Sequence, residues 1–201
     1  MTKKALLLLS GGFDSAVAYN LLKDNLDIIA IHFDSSKLTG DDALKKVKIL
    51  QKKLKIKKLI IAPFTNVQVE TSKKTEHSLF YVITRRIMYK IAESIAKKEN
   101  CDFLITGENL AQVSSQTLPN MSIITKSLKM EILRPLLCND KIEIINISKK
   151  IKTYDICSGP ELCSILGPKH PVTKANLSII EQQETNLNIN KLIKESVDNI
   201  F

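Results

Sequence analysis

The chain is poor in several things, and each absence removes a class of protein. No apolar run approaches the roughly 20 residues that cross a bilayer, so no membrane-spanning helix is expected. The opening Met1-Thr2-Lys3-Lys4 followed by leucines imitates a secretory leader. Its apolar run is too short, and Ser10-Gly11-Gly12-Phe13-Asp14 interrupts it, so the reading is a cytoplasmic protein. The 4 cysteines include no Cys-x-x-Cys pair, which argues against a tetrahedral zinc site. In a cytoplasmic chain they are better read as thiols with a task, or as core residues, than as disulfides. No lysine follows the one glycine pair, which excludes a Walker A loop. No internal repeat or low-complexity linker is visible. What remains is 201 residues, 44% of them apolar, enough for one domain with its own core and a small appendage. Positive charge is in excess: Lys+Arg 30 against Asp+Glu 21, a net +9, which attracts polyanions, nucleic acid foremost.

The chain is organised around Ala5-Leu6-Leu7-Leu8-Leu9-Ser10-Gly11-Gly12-Phe13-Asp14-Ser15. The unbroken apolar run reads as a strand buried on both faces, as parallel strands are. A Ser-Gly-Gly turn follows, and Ala16 to Leu22 reads as a helix. Strand, glycine turn and helix N-terminus together present unpaired N–H groups and the positive end of a dipole, an arrangement suited to phosphate. Gly11 and Gly12 let the backbone come close, and Ser10 and Ser15 add hydroxyls. Asp14 cannot meet phosphate directly, so it implies a bridging Mg²⁺ ion. The bland alternative is a tight turn with incidental serines. The spacing instead resembles the PP-loop signature Ser-Gly-Gly-x-Asp-Ser of ATP pyrophosphatases, which split ATP into AMP and pyrophosphate.

Further strands are expected at Asp27–Phe33, Leu59–Pro63, Asp102–Thr106 and Met130–Pro135. Helices are expected from Asp41–Asp42 onward with Val47, Leu50 and Leu54 on one face, over about 78–98, and over Lys141–Lys150. A short helix is expected at Gln112–Gln116; Asp34–Gly40 and the stretch holding Lys73, Lys74 and His77 read as loops. The lysines between Lys45 and Lys58 read first as a solvated helix face, with an RNA-backbone patch as the alternative. Alternating strands and helices predict an α/β fold, a five-stranded parallel sheet flanked by helices with right-handed crossovers. Ligands of such sheets bind beyond the carboxyl ends of the strands. Ser10–Ser15, His32–Asp34 and Gly107–Gln116 all fall there. Residues 1–175 are expected to form the ATP-binding domain and 176–201 a helical, peripheral tail.

Other stretches extend the likeness: Thr84-Arg85-Arg86-Ile87-Met88, Thr106-Gly107-Glu108-Asn109-Leu110-Ala111-Gln112-Val113-Ser114-Ser115-Gln116, Leu133-Arg134-Pro135-Leu136, and Thr153-Tyr154-Asp155-Ile156 leading to Cys163 and Pro171-Val172-Thr173-Lys174. Over about residues 4–176 the chain resembles the catalytic domain of the tRNA 4-thiouridine synthases, also called tRNA sulfurtransferases. The resemblance implies a PP-loop fold of the adenine nucleotide α-hydrolase-like type and ATP-dependent thiolation of a tRNA uridine. It implies ATP contacts at Leu8, Leu9, His32, Phe33, Arg85, Gly107 and Gln116, and a catalytic cysteine at Cys163. The family's N-terminal RNA-binding region and the rhodanese domain of some members are not seen, so help from a separate RNA-binding protein is expected. The sulfur donor, persulfide or sulfide, stays open.

Cys157 and Cys163 flank a Gly- and Pro-containing loop, Cys157-Ser158-Gly159-Pro160-Glu161-Leu162-Cys163, where thiols can be exposed and mobile. One could carry sulfur as a persulfide and the other resolve it as a disulfide. Cys101 and Cys138 read as structural or core residues. A three-thiolate iron–sulfur site from Cys138, Cys157 and Cys163 is a minority alternative, because the spacing is not a standard cluster motif. Two rival functions remain: another PP-loop enzyme, of the amide ligase or nitrile synthase type, and a non-catalytic ATP-binding subunit of an RNA-modifying complex. The missing Cys-x-x-Cys counts against the nitrile synthase.

Overall fold

The computed structural model describes residues 2–110, 113–158 and 166–201. In chain order the elements are β1 (Lys4–Leu8), α1 (Phe13–Leu22), β2 (Asp27–Asp34), α2 (Ser36–Thr39), α3 (Asp42–Leu54), β3 (Leu59–Pro63), α4 (Thr65–Lys74), α5 (Phe80–Lys98), β4 (Phe103–Ile105), α6 (Leu118–Thr125), β5 (Glu131–Leu133), α7 (Lys141–Lys150), α8 (Tyr154–Cys157), α9 (Leu177–Glu184) and α10 (Ile189–Asp198). Short 3-10 turns at His77–Leu79 and Ser114–Gln116 precede α5 and α6.

The strands form one sheet in the order β3-β2-β1-β4-β5, all parallel. The chain leaves β1 to one side for β2 and β3, then returns to the other side for β4 and β5. The reversal puts a crevice at the carboxyl ends of β1 and β4, where ligands of open parallel sheets bind.

The continuous apolar runs are explained by burial on both faces. Alternate residues point to opposite sides of a strand. Leu6, Ile29, Ile31 and Ile60 pack with α5 on one face. Ala5, Leu7, Leu9, Ile28, Ala30 and Ile105 pack with Val17 of α1, Val47 and Leu50 of α3 and Ile144 of α7 on the other. α7 begins with a capping box: Asp140 Oδ1 accepts from the Ile142 N–H, and Glu143 reaches back to the Asp140 N–H at 3.2 Å.

Three stretches differ from the sequence expectation. The Asp34–Gly40 loop contains the single turn α2. The polar stretch before α5 is largely the helix α4, whose apolar stripe is only Val67 with Thr71; packing of Val67 and Phe64 into the core sustains it where intrinsic propensity is weak. The short helix expected from Gln112–Gln116 begins later: a 3-10 turn at Ser114–Gln116 leads into α6, which Thr117 caps from its side chain and whose first turn holds Pro119.

The C-terminal stretch is helical but not peripheral. Ile180, Leu187, Leu192 and Val197 belong to the α5-side core. Arg86 on α5 donates from Nε to Glu184 Oε1 at 2.6 Å and from Nη2 to Oε2 at 3.1 Å, both residues being buried. Ser196 Oγ donates to the Pro63 carbonyl at 2.8 Å. Phe201 exchanges two backbone bonds with Ile61 at 2.9 and 3.1 Å, pairing the free edge of β3.

Candidate active site

The Ser10–Ser15 turn leaves β1 and enters α1 at the crevice. Gly11 sits at φ +92°, a conformation glycine adopts without strain. Gly12 caps α1 with no side-chain bond, so the first N–H groups of the helix face the turn. The serines shape the loop from inside. The Gly12 N–H donates to Ser10 Oγ at 3.2 Å, and the Ser10 N–H to Ser15 Oγ at 3.3 Å. Ser15 Oγ donates to the Gly12 carbonyl at 3.1 Å. Asp14 lies in the first turn of α1.

Gly107, just past β4, closes the other wall. A β-carbon there would lie 2.5 Å from the Asp14 carbonyl carbon and 2.7 Å from the Ser15 nitrogen. Backbone cannot yield as a side-chain tip can, so only glycine lets β4 end against this turn. Glu108 follows, 3% exposed. Its Oε1 accepts from Arg85 Nη1 at 2.8 Å, and its Oε2 from Arg134 Nε at 2.8 Å and Thr106 Oγ1 at 3.3 Å. Burial alone would raise this carboxyl, but the Arg85 and Arg134 guanidinium groups outweigh it and hold the acid below its ordinary range, ionised. The neighbouring Tyr89 phenol is pushed well up, by burial first and then by the Glu108 charge, and stays neutral.

On the other side of β1, His32 Nδ1 donates to the Leu9 carbonyl at 3.0 Å. A carbonyl only accepts, so Nδ1 carries the proton and Nε2 is left as an acceptor. Burial holds this imidazole below its usual pKa, against the opposing pulls of the Leu9 carbonyl and Asp34. Phe33 packs edge-on against Phe64, with ring centroids 5.2 Å apart. Leu8 and Leu9 end β1 beside them; the Leu9 N–H donates to the Ile31 carbonyl at 2.8 Å. Gln116 is buried in the 3-10 turn before α6, and its Oε1 has no partner among the described residues. A buried acceptor of this kind costs free energy until a donor meets it, which suits a ligand contact.

The structure thus gathers Ser10–Ser15, Gly107 and, through Glu108, Arg85 at the β1/β4 crevice, with Leu8, Leu9, His32 and Phe33 on the β2 side. Cys157 is different. It is 3% exposed at the end of α8, and its thiol is pushed up to about 11, by burial first, with Lys46 pulling it down and Asp14 pushing it up. It is a neutral core thiol rather than an exposed, mobile one. Cys101 is also buried. Cys138, read as a core residue, is exposed, because Leu136 takes the core position in that turn. Cys163 lies outside the described residues, and with it the three-cysteine alternative. Among the described residues no group of three or more His, Cys, Asp or Glu side chains could hold a metal ion.

Sequence reasoning named neither Glu108 nor Arg134 as site residues. A signal existed: Thr106-Gly107-Glu108 and Leu133-Arg134-Pro135 put opposite charges at the ends of two consecutive apolar strands.

A Ser-Gly-Gly-x-Asp-Ser turn at the switch point of a parallel five-stranded sheet places the chain among the PP-loop nucleotide-binding proteins. The family can be stated more closely. The chain belongs to the family described as Thiamine biosynthesis protein (ThiI), whose model matches residues 1–189. It is 39% identical over 207 residues to a protein of Moorella thermoacetica named "Probable tRNA sulfurtransferase", the match covering 100% of this chain and 53% of that one. A solved 4-thiouridine synthetase–RNA complex with bound ATP superposes with a TM-score of 0.92 at 34% identity, covering 99% of this chain and 54% of that one. A U34-tRNA thiolase of Methanococcus maripaludis, solved with its 4Fe–4S cluster, shares the fold, with a TM-score of 0.57 at 21% identity over 96% of this chain and 70% of that one. The chain spans about half the length of the curated relatives it matches.

Proposed function

We propose that this chain carries the adenylating and sulfur-transferring site of an ATP-dependent tRNA sulfurtransferase that makes 4-thiouridine. The observation that carries the reading is the Ser10–Ser15 turn at the β1/β4 crevice, fitted to β4 through the missing β-carbon of Gly107. The open N–H groups of α1 face the pyrophosphate, and Gln116 and the strand ends at Leu8–Leu9 and His32–Phe33 receive the nucleoside. Arg85, aimed by Glu108, meets phosphate with its remaining donors. The oxygens at the turn, the Asp14 carboxylate and the Ser10 and Ser15 hydroxyls, suit Mg²⁺, which takes one or two carboxylates together with substrate phosphates. Bound at Asp14, that ion would neutralise charge on the phosphates.

The uridine O4 attacks the α-phosphorus of ATP and pyrophosphate leaves. The resulting adenylate makes C4 open to sulfur, and AMP departs with the former O4: sulfide displaces it directly, or the terminal sulfur of a Cys163 persulfide does, after which a second thiol attacks the Cys163 sulfur, forms a disulfide with it and releases 4-thiouridine. The likeness to tRNA sulfurtransferases and to an ATP-bound 4-thiouridine synthetase–RNA complex supports ATP-dependent thiolation of tRNA. The buried position of Cys157 favours a packing role for it over the resolving one.

The test is to incubate the chain with Mg-ATP, tRNA and sulfide and to measure pyrophosphate, AMP and 4-thiouridine together. ATP splitting that requires tRNA and tracks 4-thiouridine is expected, with Asp14→Ala losing turnover far more than ATP affinity. ATP splitting indifferent to tRNA, or AMP formation undiminished in Asp14→Ala, would overturn the assignment.

A further inference from the structure

The Ser10–Ser15 turn contains one acidic side chain and no basic one. Loops that cradle polyphosphate commonly pair backbone N–H groups with a lysine, because dipoles alone offset only part of the phosphate charge. A lysine of another element, Lys46 of α3, stands beside the turn. α3 lies directly against Gly11: a β-carbon on Gly11 would sit 3.5 Å from Val47 Cγ2 and 3.6 Å from the Cβ of Lys46. Val47 is fully buried and fixes this face of α3 on the turn. Lys46 is half-buried, whereas Lys45, Lys48, Lys52 and Lys53 on the outer face are exposed. Lys45, Lys57 and Lys58 each meet a carboxylate, at 3.4, 3.1 and 2.7 Å; Lys46 is in no ion pair among the described residues. Lys46 and Asp14 both lie near enough to the Cys157 thiol for their charges to act on it.

We propose that Lys46 is a further ligand-contacting residue of this site: its ammonium group, carried in from α3, binds the β- and γ-phosphates of ATP and the pyrophosphate product. The proposal rests on the reading that the Ser10–Ser15 turn holds pyrophosphate. A flexible point charge on a four-carbon stem suits a group that leaves after reaction better than a rigid guanidinium does. Its partner is the polyphosphate alone, so AMP gains nothing from it.

The experiment compares binding of Mg-ATP, pyrophosphate and AMP to the full chain by calorimetry, for wild type, Lys46→Met, Lys46→Arg and Lys48→Met. A charge-assisted contact predicts that Lys46→Met weakens ATP and pyrophosphate by about 10- to 100-fold and leaves AMP unchanged. Lys46→Arg should retain most of the affinity, and Lys48→Met, on the outer face of α3, all of it. Circular dichroism of each variant checks the fold. Wild-type affinity for ATP and pyrophosphate in Lys46→Met overturns the role of Lys46 while leaving the loop reading intact, as does an equal loss for AMP. Failure of the wild type to bind pyrophosphate overturns the loop reading, and the proposal with it.

Discussion

Removing Glu184 should reveal how firmly the last two helices hold the domain together. In the native chain its carboxylate takes two bonds from Arg86, at 2.6 and 3.1 Å, and Lys90 Nζ stands 3.7 Å away. Arg86 is 4% exposed and donates its third bond, at 2.7 Å, to the Ile123 carbonyl, so the guanidinium cannot swing out to water. Glu184→Ala therefore leaves a buried cation without its counter-charge and with a second cation close by. Breaking one side of a buried pair costs about 3–5 kcal/mol. For a chain of this size, about 2–4 °C of melting temperature follows each kcal/mol, giving a fall of about 6–20 °C. That is a large part of the roughly 5–15 kcal/mol that holds a typical domain folded. Glu184→Gln, which keeps an acceptor but not the charge, should lose less. Arg86→Met with Glu184→Leu should regain much of the loss, because apolar residues of similar volume can replace a buried pair at little cost. Urea unfolding followed by circular dichroism supplies the numbers. A Glu184→Ala chain within about 1 kcal/mol of wild type would show that the pair is relaxed by water and that this reasoning fails.

Two further outcomes follow from the site. Gly107→Ala must push a methyl group into the backbone of Asp14 and Ser15, at 2.5 and 2.7 Å, so ATP affinity should fall at least about tenfold and stability by about 1–3 kcal/mol; nucleotide titration beside a thermal melt measures both. His32 has its pKa lowered by burial, so between that value and about 6.5 the unfolded chain binds the extra proton. Its contribution is fully present above pH 6.5 and is lost as pH falls through the folded value. Stability measured from pH 7.5 to 5 should drop more steeply for wild type than for His32→Asn, whose amide can still donate to Leu9, and parallel curves would remove His32 as the cause.

The sheet was legible because a strand buried on both faces leaves an apolar run, as β1, β2 and β3 do, while the edge strand β5 shows only the short Ile132–Leu133 pair after the exposed Glu131. The turn at Gly11 was legible because glycine, serine and aspartate there do what other residues cannot. α7 was legible over Lys141–Lys150, and the structure adds the capping box of Asp140 and Glu143 that starts it. Other features could not be read in this way. α4 offers two buried residues, too narrow a stripe to tell from a polar loop. The bonds of Glu108 to Arg85 and Arg134 join residues 23 and 26 positions apart, and only the folded topology brings them together. Arg86 and Glu184 lie 98 positions apart, and nothing local to α9 says that a glutamate near its end is buried. The Cys157 thiol looked exposed because its sequence neighbours are turn formers; α8 ends just before them and turns the thiol inward.

Arg85 and Arg86 are consecutive residues with opposite errands. One is bonded to the carboxylate beside the nucleotide turn, the other to the carboxylate that ends α9. On an α-helix they are turned about 100° apart, so a small roll of α5 moves both at once. One helix, α5, thus ties the chain's C-terminal pair of helices and the wall of the β1/β4 crevice to the same rigid element.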